Sequence, residues 1–161
     1  MRRIIAVAVV LLGGGCASGY DGSDVAPGAS QAEVEKKMGA VAARTKGADG
    51  GDVLWFSRQP SGRVIYAARF GKDGKLTGIE QTLTRENLQR IEPGKSRGDD
   101  VRAILGPPWR IDEFPRMQRE AWTYNAQGMN PAQFIVQFSH DGIVRERFQI
   151  DEPEFVRGMA M

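Results

Sequence analysis

The sequence predicts an α+β fold of two tandem repeats, each a short helix or helix pair followed by an antiparallel β-meander of about three strands. One observation is an internal offset: Val34–Gly39 matches Val101–Gly106 at a spacing of 67 residues, and Pro27–Ser30 matches Pro93–Ser96 at 66. Another is that apolar runs separated by an Asp-Gly turn signal follow each matched segment. Helices that precede meanders, rather than alternate with single strands, favour α+β over α/β.

The first repeat, residues 27–83, is predicted to begin with a helix. Ser30 and Glu33 have the spacing of a capping box, and Gly39 supplies a residue that can end the helix. Apolar residues then alternate or run together over 52–58, 63–70 and 75–83, which predicts three strands.

The second repeat, residues 84–161, is predicted to begin with a short helix over 84–91. A second helix follows, with Ser96 as its N-cap and Gly106 at its end, before two prolines that cannot continue it. We expect strands over 120–124, 133–139 and 143–150, and a loop over 107–114.

The composition excludes several classes of site. The chain has 161 residues with one Cys, one His and a formal net charge of +2. These counts exclude an intramolecular disulfide and a Cys/His zinc site, and the charge is too small to indicate nucleic-acid binding. His140 precedes Asp141 in a predicted turn and is interpreted as a solvated turn residue. We therefore expect no catalytic residue, no metal and no cofactor, and predict that the protein is not an enzyme.

Residues 1–15 have the pattern of a signal peptide, with a basic start, an apolar run over 4–12 and three glycines. As a helix this run would rise about 14 Å, short of the roughly 30 Å of a hydrocarbon core. The small residues directly before Cys16 resemble the bacterial lipobox, although Gly13 stands where Leu is usual. That resemblance implies that Cys16 becomes the first mature residue and carries acyl chains such as palmitate. The alternative is a plain signal peptide that is cleaved near residues 17–19.

Residues 16–26 are rich in Gly, Ser and Asp and are predicted to form a flexible tether after the lipidated Cys16. The lipoprotein resemblance also implies a location. Ala17, rather than Asp, follows Cys16, which implies the outer membrane of a Gram-negative bacterium, on the periplasmic face. The bilayer is then one partner, bound through the N-terminal anchor.

A set of positions in the second repeat carries a family resemblance: Gly94, Ser96, Val101, Gly106, Pro108, Trp122 and Tyr124. Their pattern resembles the SmpA/OmlA family of BamE-like outer-membrane lipoproteins. The resemblance implies structural roles for these residues and a fold of two short helices on a three-stranded antiparallel sheet. It further implies a non-catalytic binding or accessory subunit in outer-membrane β-barrel assembly or envelope integrity, with other envelope assembly proteins as partners. The family has one such unit, whereas this sequence predicts two.

Two units in tandem are also similar to the architecture of the β-lactamase inhibitor protein. This similarity suggests an alternative function, a lipid-anchored inhibitor-like or ligand-binding module on the same fold. Such a module would have a concave surface between the two sheets, lined by aromatic residues.

Three large apolar side chains beside charged residues mark a candidate docking patch: Trp109, Ile111 and Phe114. The alternative is that their loop folds back over the open edge of the sheet, and Phe114 is expected to be buried because it is a family position. Trp55, Trp122, Tyr66 and Tyr124 fall on predicted strands, where packing in the core is favoured over ligand stacking.

Overall fold

The computed structural model describes residues 21–127 and 131–151. Three helices occur in these ranges: α1 (Gln31–Met38), α2 (Arg85–Gln89) and α3 (Gly98–Leu105). The strands are β1 (Ala43–Lys46), β2 (Asp52–Ser57), β3 (Ile65–Phe70), β4 (Leu76–Gln81), β5 (Arg110–Phe114), β6 (Arg119–Ala126), β7 (Ala132–Ser139) and β8 (Val144–Asp151). A 3₁₀ turn, Pro115–Met117, joins β5 to β6. The predicted signal peptide and Cys16 lie outside the described residues.

The strands form two antiparallel sheets of four, in the orders β1-β2-β3-β4 (sheet 1) and β5-β6-β7-β8 (sheet 2). The predicted fold class, short helices each followed by a meander of about three strands, is therefore wrong. The described part of the chain is mostly β, and its three helices are short. The prediction omitted β1 and β5, the strands that open each sheet.

Each omitted strand lies at a sheet edge, where the alternation of apolar and polar residues is weakest. β1 has the sequence ARTK, pairs only with β2, and is mostly exposed. β5 has the sequence RIDEF and pairs only with β6, with Ile111 opposite Trp122. An edge strand buries little, so its sequence shows little hydrophobic periodicity. The predicted loop over 107–114 is therefore wrong for residues 110–114, which form β5; residues 107–109 lead from α3 into that strand.

The two longer helices start differently. The capping box of α1 is confirmed, because Glu33 N–H donates to Ser30 Oγ at 3.4 Å and Ser30 N–H donates to Glu33 Oε2 at 2.7 Å. The N-cap of α3 is Arg97, whose N–H donates to Asp100 Oδ2 at 2.8 Å, and not Ser96 as predicted. Ser96 is buried instead, and its Oγ accepts from Glu92 N–H at 2.9 Å.

The capping box makes the stability of α1 sensitive to acid. Hydrogen bonds from the backbone N–H and the hydroxyl of Ser30 lower the pKa of Glu33. A carboxyl with a lower pKa in the folded chain stabilises it above the unfolded pKa, and this contribution is lost as the pH falls toward the folded pKa. We expect wild type to exceed Glu33→Gln in unfolding free energy at neutral pH, and the difference to close between about pH 6 and pH 3. Urea denaturation at each pH measures it, and a difference that grows toward acid would contradict the assignment.

Sheet 1 is covered on both faces. On one face the α1 residues Val34 and Met38 pack against Leu54, Phe56 and Phe70. On the other face, Trp55 and Ile65 join one large apolar cluster with Leu105 of α3 and with Tyr124 and Phe134 of sheet 2. The two sheets therefore share a core through α2 and α3, and burial of this cluster is the main favourable contribution to the fold.

In this shared core, the backbone of Gly106 packs tightly against two side chains of sheet 1, Trp55 and Ile65. A Cβ on Gly106 would lie 2.6 Å from Trp55 Cε3 and 3.0 Å from Ile65 Cγ2. Polar groups close the same region, since the buried Thr82 hydroxyl donates to Leu105 O at 2.9 Å and the Tyr124 hydroxyl donates to Gly106 O at 3.1 Å. These bonds satisfy carbonyl groups at the end of α3 that have no partner within the helix.

A second junction lies between the β2–β3 loop and β6. The side-chain amide of Gln59 accepts from Asn125 N–H at 2.9 Å and donates to Asn125 O at 3.0 Å. Asn125 Nδ2 also donates to Pro60 O at 3.3 Å. The loop of sheet 1 thereby binds the end of a strand in sheet 2.

The two tryptophans that the sequence aligns both lie in the shared core, but on opposite sides with respect to the matched helices α1 and α3. Trp55 lies on the face of sheet 1 turned away from α1, in the shared core. Trp122 lies on the face of sheet 2 turned toward α3, because Arg102 of that helix lies over its ring at 4.2 Å from the centroid. Both side chains are buried, as expected for strand positions.

Residues 21–26, assigned to the tether from the sequence, lie next to sheet 1. Gly22 approaches Ile79 and Met38, and Val25 packs against the α1 side of the sheet. Asp24 forms an ion pair with Lys37 at 3.3 Å. Across residues 21–127 and 131–151, no helix has the length and apolar character needed to span a membrane.

Candidate functional site

The large apolar side chains that are exposed in the described residues concentrate in one segment. Ile111, Phe114 and Met117 are 45%, 43% and 58% exposed, and the only other member of this class, Ile150, lies on β8 at the far edge of sheet 2. We call Ile111, Phe114 and Met117 the β5 patch. The expected burial of Phe114 is wrong, because it is the last residue of an edge strand and pairs with Arg119 on one side only.

Local sequence explains why β5 is short and stands at the edge. Gly106 ends α3 with a positive φ of 88°, and the following prolines cannot extend the helix. Pro115 then ends the strand by entering the 3₁₀ turn, after which Gln118 adopts a left-handed conformation with a φ of 51°. The chain therefore reverses within a few residues and leaves β5 with one open edge.

Trp109 is placed differently from the other two residues of the predicted docking patch. It is half-buried, and its indole Nε1 is buried without a hydrogen-bond partner among the described residues. The Arg110 guanidinium lies 5.2 Å from the ring centroid. The structure thus groups Ile111 and Phe114 with Met117, which the sequence did not single out, and places Trp109 at the border of the β5 patch.

Two carboxylates beside the patch were also missed from the sequence. Glu113 on β5 stands directly opposite Glu120 on β6, and like charges in this position repel. Glu120 accepts a hydrogen bond from the indole N–H of Trp122. None of the ion pairs within residues 21–127 and 131–151 involves either carboxylate. The only sequence signal was the acidic residue next to an apolar one before Pro115.

A cavity of about 350 Å³ lies beside these carboxylates. Its lining includes Glu113, Glu120, Trp122, Phe138 and His140. The floor is aromatic, since the Trp122 and Phe138 rings lie 4.6 Å apart between centroids. The β5 edge therefore combines exposed apolar side chains, two acidic groups and a depression.

His140 is exposed in the turn after β7, as interpreted from the sequence. The neighbouring Asp141 is held ionised, because hydrogen bonds from the Ser139 hydroxyl and the Ile143 N–H lower its pKa. Over the part of the chain that the structure describes, no cluster of three or more His, Cys, Asp or Glu side chains could hold a metal ion.

The family-motif residues lie mainly in the core and in turns. Val101, Trp122 and Tyr124 are buried, and Gly94 adopts a positive φ of 80° in the turn before α3. Burial raises the pKa of Tyr124, so its hydroxyl stays neutral and donates to Gly106 O. Pro108 is half-buried beyond the end of α3. These positions support the fold, and one of them, Trp122, also pairs with Ile111 of the β5 patch.

A larger cavity of about 680 Å³ lies between the sheets, beside the start of α2. Its lining includes Gln81, Thr84, Arg85, Phe134 and Gln149. Phe134 is the one aromatic residue among the described residues of that lining, whereas the inhibitor-like alternative expects several.

No family model matches the chain, and no curated protein matches it. Among solved structures, it is similar to a DUF4309 family protein, YjgB, from Bacillus subtilis, with 14% sequence identity. The match covers 77% of this chain and 79% of that chain with a TM-score of 0.33, which is too low to carry an argument about fold or function.

Proposed function

We propose that this chain is a periplasm-facing outer-membrane lipoprotein of the SmpA/OmlA type. It acts as a non-catalytic binding subunit, accessory to outer-membrane β-barrel assembly or to envelope integrity. The N-terminal pattern around Cys16 and the motif positions of residues 94–124 support the class of protein.

The observation that carries the binding role is the β5 patch. Three of the four exposed large apolar side chains in the described residues lie within 111–117, beside an open strand edge. Ile111 and Phe114 lie on opposite faces of sheet 2, but both border the same open edge. Several large apolar residues along one edge favour an interaction surface more than a single exposed residue does. In this proposal the acyl chains at Cys16 restrict the protein to one membrane surface, which raises its effective concentration near partners held there.

The patch variants Ile111→Thr and Phe114→Thr are expected to separate binding from stability. The two residues are a little less than half exposed, at 45% and 43%, so the unfolding free energy of each variant should stay within about 1 kcal/mol of wild type. Binding to envelope partners should fall, because the apolar contact is lost. Urea denaturation measures the unfolding free energy, and co-purification measures binding to envelope partners. A fall of several kcal/mol in the unfolding free energy would show that these residues belong to the core rather than to the surface.

Co-purification from detergent-solubilised outer membranes tests the function. We expect barrel-assembly components to co-purify with the wild-type chain and to be depleted with Ile111→Thr. The matched control is Ile150→Thr, an exposed apolar residue on the far edge of sheet 2. Absence of any barrel-assembly component, together with normal barrel levels in a deletion strain, would exclude the assembly role.

The alternative, an inhibitor-like or ligand-binding module, is favoured by the cavity of about 680 Å³ between the sheets. It predicts that a soluble Cys16→Ala chain binds one periplasmic enzyme or ligand tightly. Substitutions that line the cavity, such as Gln81→Leu, should then weaken that binding while patch variants leave it unchanged.

A further inference from the structure

The two opening strands of the sheets are protected to different degrees. Edge strands normally carry charged groups that discourage pairing with another strand. On β1, Arg44 pairs with Glu35 at 2.8 Å and Lys46 pairs with Asp52 at 2.6 Å. β5 is also charged, with Arg110, Asp112 and Glu113. Between these residues it exposes Ile111 and Phe114, along an edge that no strand of residues 21–127 or 131–151 occupies.

The pairing register of β5 defines what each of its faces presents. Paired residues lie on the same face of an antiparallel sheet, so Ile111 and Glu113 share a face with Trp122 and Glu120. Phe114 lies on the opposite face, next to Arg119. A strand added outside β5 would therefore meet an apolar residue and a carboxylate on one face and an aromatic ring on the other.

Among the acidic residues of β5, Glu113 forms no ion pair with another described residue. Asp112 is already paired, because Arg110 Nε lies 2.8 Å from its Oδ2. Glu113 faces Glu120 across the strands, and neither forms an ion pair with another described residue. A Lys or Arg on an added strand, opposite Glu113, would relieve the repulsion between the two carboxylates.

We propose that the open edge of β5 takes an extended segment of a partner protein as an added antiparallel strand. The segment carries an apolar residue opposite Ile111, a Lys or Arg opposite Glu113 and an apolar residue opposite Phe114. Read along the partner, the pattern is apolar, basic, any residue, apolar. Main-chain hydrogen bonds supply binding and the side-chain pattern supplies specificity. This inference rests on the proposed binding role and names its recognition chemistry.

Two other occupants fit the same edge less well. A membrane surface does not offer the regular row of hydrogen-bond partners that a strand edge requires. The negative charges of Glu113 and Glu120 would also repel an anionic bilayer. A second copy that paired through β5 around Asp112 would place Ile111 opposite Glu113, and one that paired around Ile111 would place Trp109 opposite Glu113; neither register gives Glu113 a cation. An extended basic and apolar segment matches both the backbone and the charges.

The test uses the full-length protein and three fluorescein-labelled synthetic peptides. The first contains Thr-Val-Lys-Thr-Val-Thr, the second replaces its Lys with Glu, and the third is the first with N-methylated backbone amides. Fluorescence anisotropy measures affinity, and hydrogen exchange of residues 110–114 locates the site. Glu113→Lys reverses the charge at the site, and Glu146→Lys is the matched control, an exposed carboxylate on β8 at the far edge.

We expect the Lys peptide to bind wild type about tenfold more tightly than the Glu peptide, and Glu113→Lys to reverse this preference. Glu146→Lys should behave as wild type, and the N-methylated peptide should not bind. Slower hydrogen exchange in β5 should accompany binding of the Lys peptide to wild type.

Four results would overturn the proposal. These are equal binding of the Lys and Glu peptides, binding of the N-methylated peptide, dimerisation of wild type that Ile111→Thr abolishes, and vesicle binding through the patch with no peptide binding. The outcome is separable from that of the proposed function. Co-purification of barrel-assembly components without peptide binding would reject strand addition alone, and the reverse would reject the assembly role alone.

Discussion

Replacing Gly106 with alanine is expected to lower the unfolding free energy by about 4 kcal/mol. Gly106 has φ 88° and ψ −167°, a conformation that residues with a Cβ rarely adopt. The added Cβ would also lie 2.6 Å from Trp55 Cε3, too close for the contact to persist. Urea denaturation followed by far-ultraviolet circular dichroism measures the change, and one cooperative transition is expected because both sheets share this core.

Gly39→Ala is the matched control for this prediction. Gly39 ends α1 with φ 89° and ψ −149°, but a Cβ there would meet nothing within 4 Å. The backbone strain alone should cost about 2 kcal/mol. Equal costs for the two substitutions would contradict the close packing of Gly106 against Trp55, and hence the description of the core that joins the sheets.

Trp55→Ala is expected to cost about 4 kcal/mol, because it leaves a cavity between sheet 1 and the end of α3. Trp55 is buried, and its indole N–H donates to Thr45 Oγ1 at 2.9 Å, which attaches the edge strand β1 to its neighbour. Trp55→Phe keeps most of the ring packing and loses that bond, so its cost should be about 1 kcal/mol. Chemical denaturation of the three proteins gives these values.

A double-mutant cycle connects the two predictions. Trp55→Ala removes Cε3 and Cζ3, the atoms that a Cβ on Gly106 would approach at 2.6 and 3.0 Å. Gly106→Ala should therefore cost about 1–2 kcal/mol less in the Trp55→Ala background than in wild type. Strict additivity would mean that the two residues do not touch in solution.

Strands with a buried face could be predicted from the sequence, and the edge strands could not. β7 alternates buried and half-buried residues along its length, the pattern that periodicity detects. β1 and β5 bury little and have no such pattern, so the sequence predicts no strand over 43–46 and a loop over 107–114. For this reason the sequence does not predict the opening strand of each sheet, nor the mostly β character of the fold.

Burial of individual residues was predictable where both strand neighbours exist. Trp122 and Tyr124 lie on β6, between two strands, and are buried as expected. Phe114 lies on β5 with one neighbour and is exposed, although the family position indicated burial. The offset of 67 residues pairs Trp55 with Trp122, and both lie in the shared core. Trp55 is on the face of its sheet away from α1, however, whereas Trp122 is on the face toward α3, a difference that the spacing does not indicate.

The sequence indicated the segment with exposed apolar residues, but not the acidic residues beside it. Ile111 and Phe114 were singled out by their apolar character beside charges, and both are exposed. Glu113 and Glu120 could not be found from the sequence, because their opposition depends on the pairing register of β5 with β6. Met117 could be assigned to the candidate site only from the structure, which shows it exposed in the turn after β5.

Anchoring at Cys16 is the central claim of the functional account, because it places the β5 edge at a membrane surface. Intact-mass and peptide-fragment mass spectrometry of the protein purified from membranes tests it directly. The account predicts a mature chain that begins at Cys16 and carries acyl chains on that residue. An unmodified Cys16, or a chain that begins after it near residues 17–19, would contradict the account.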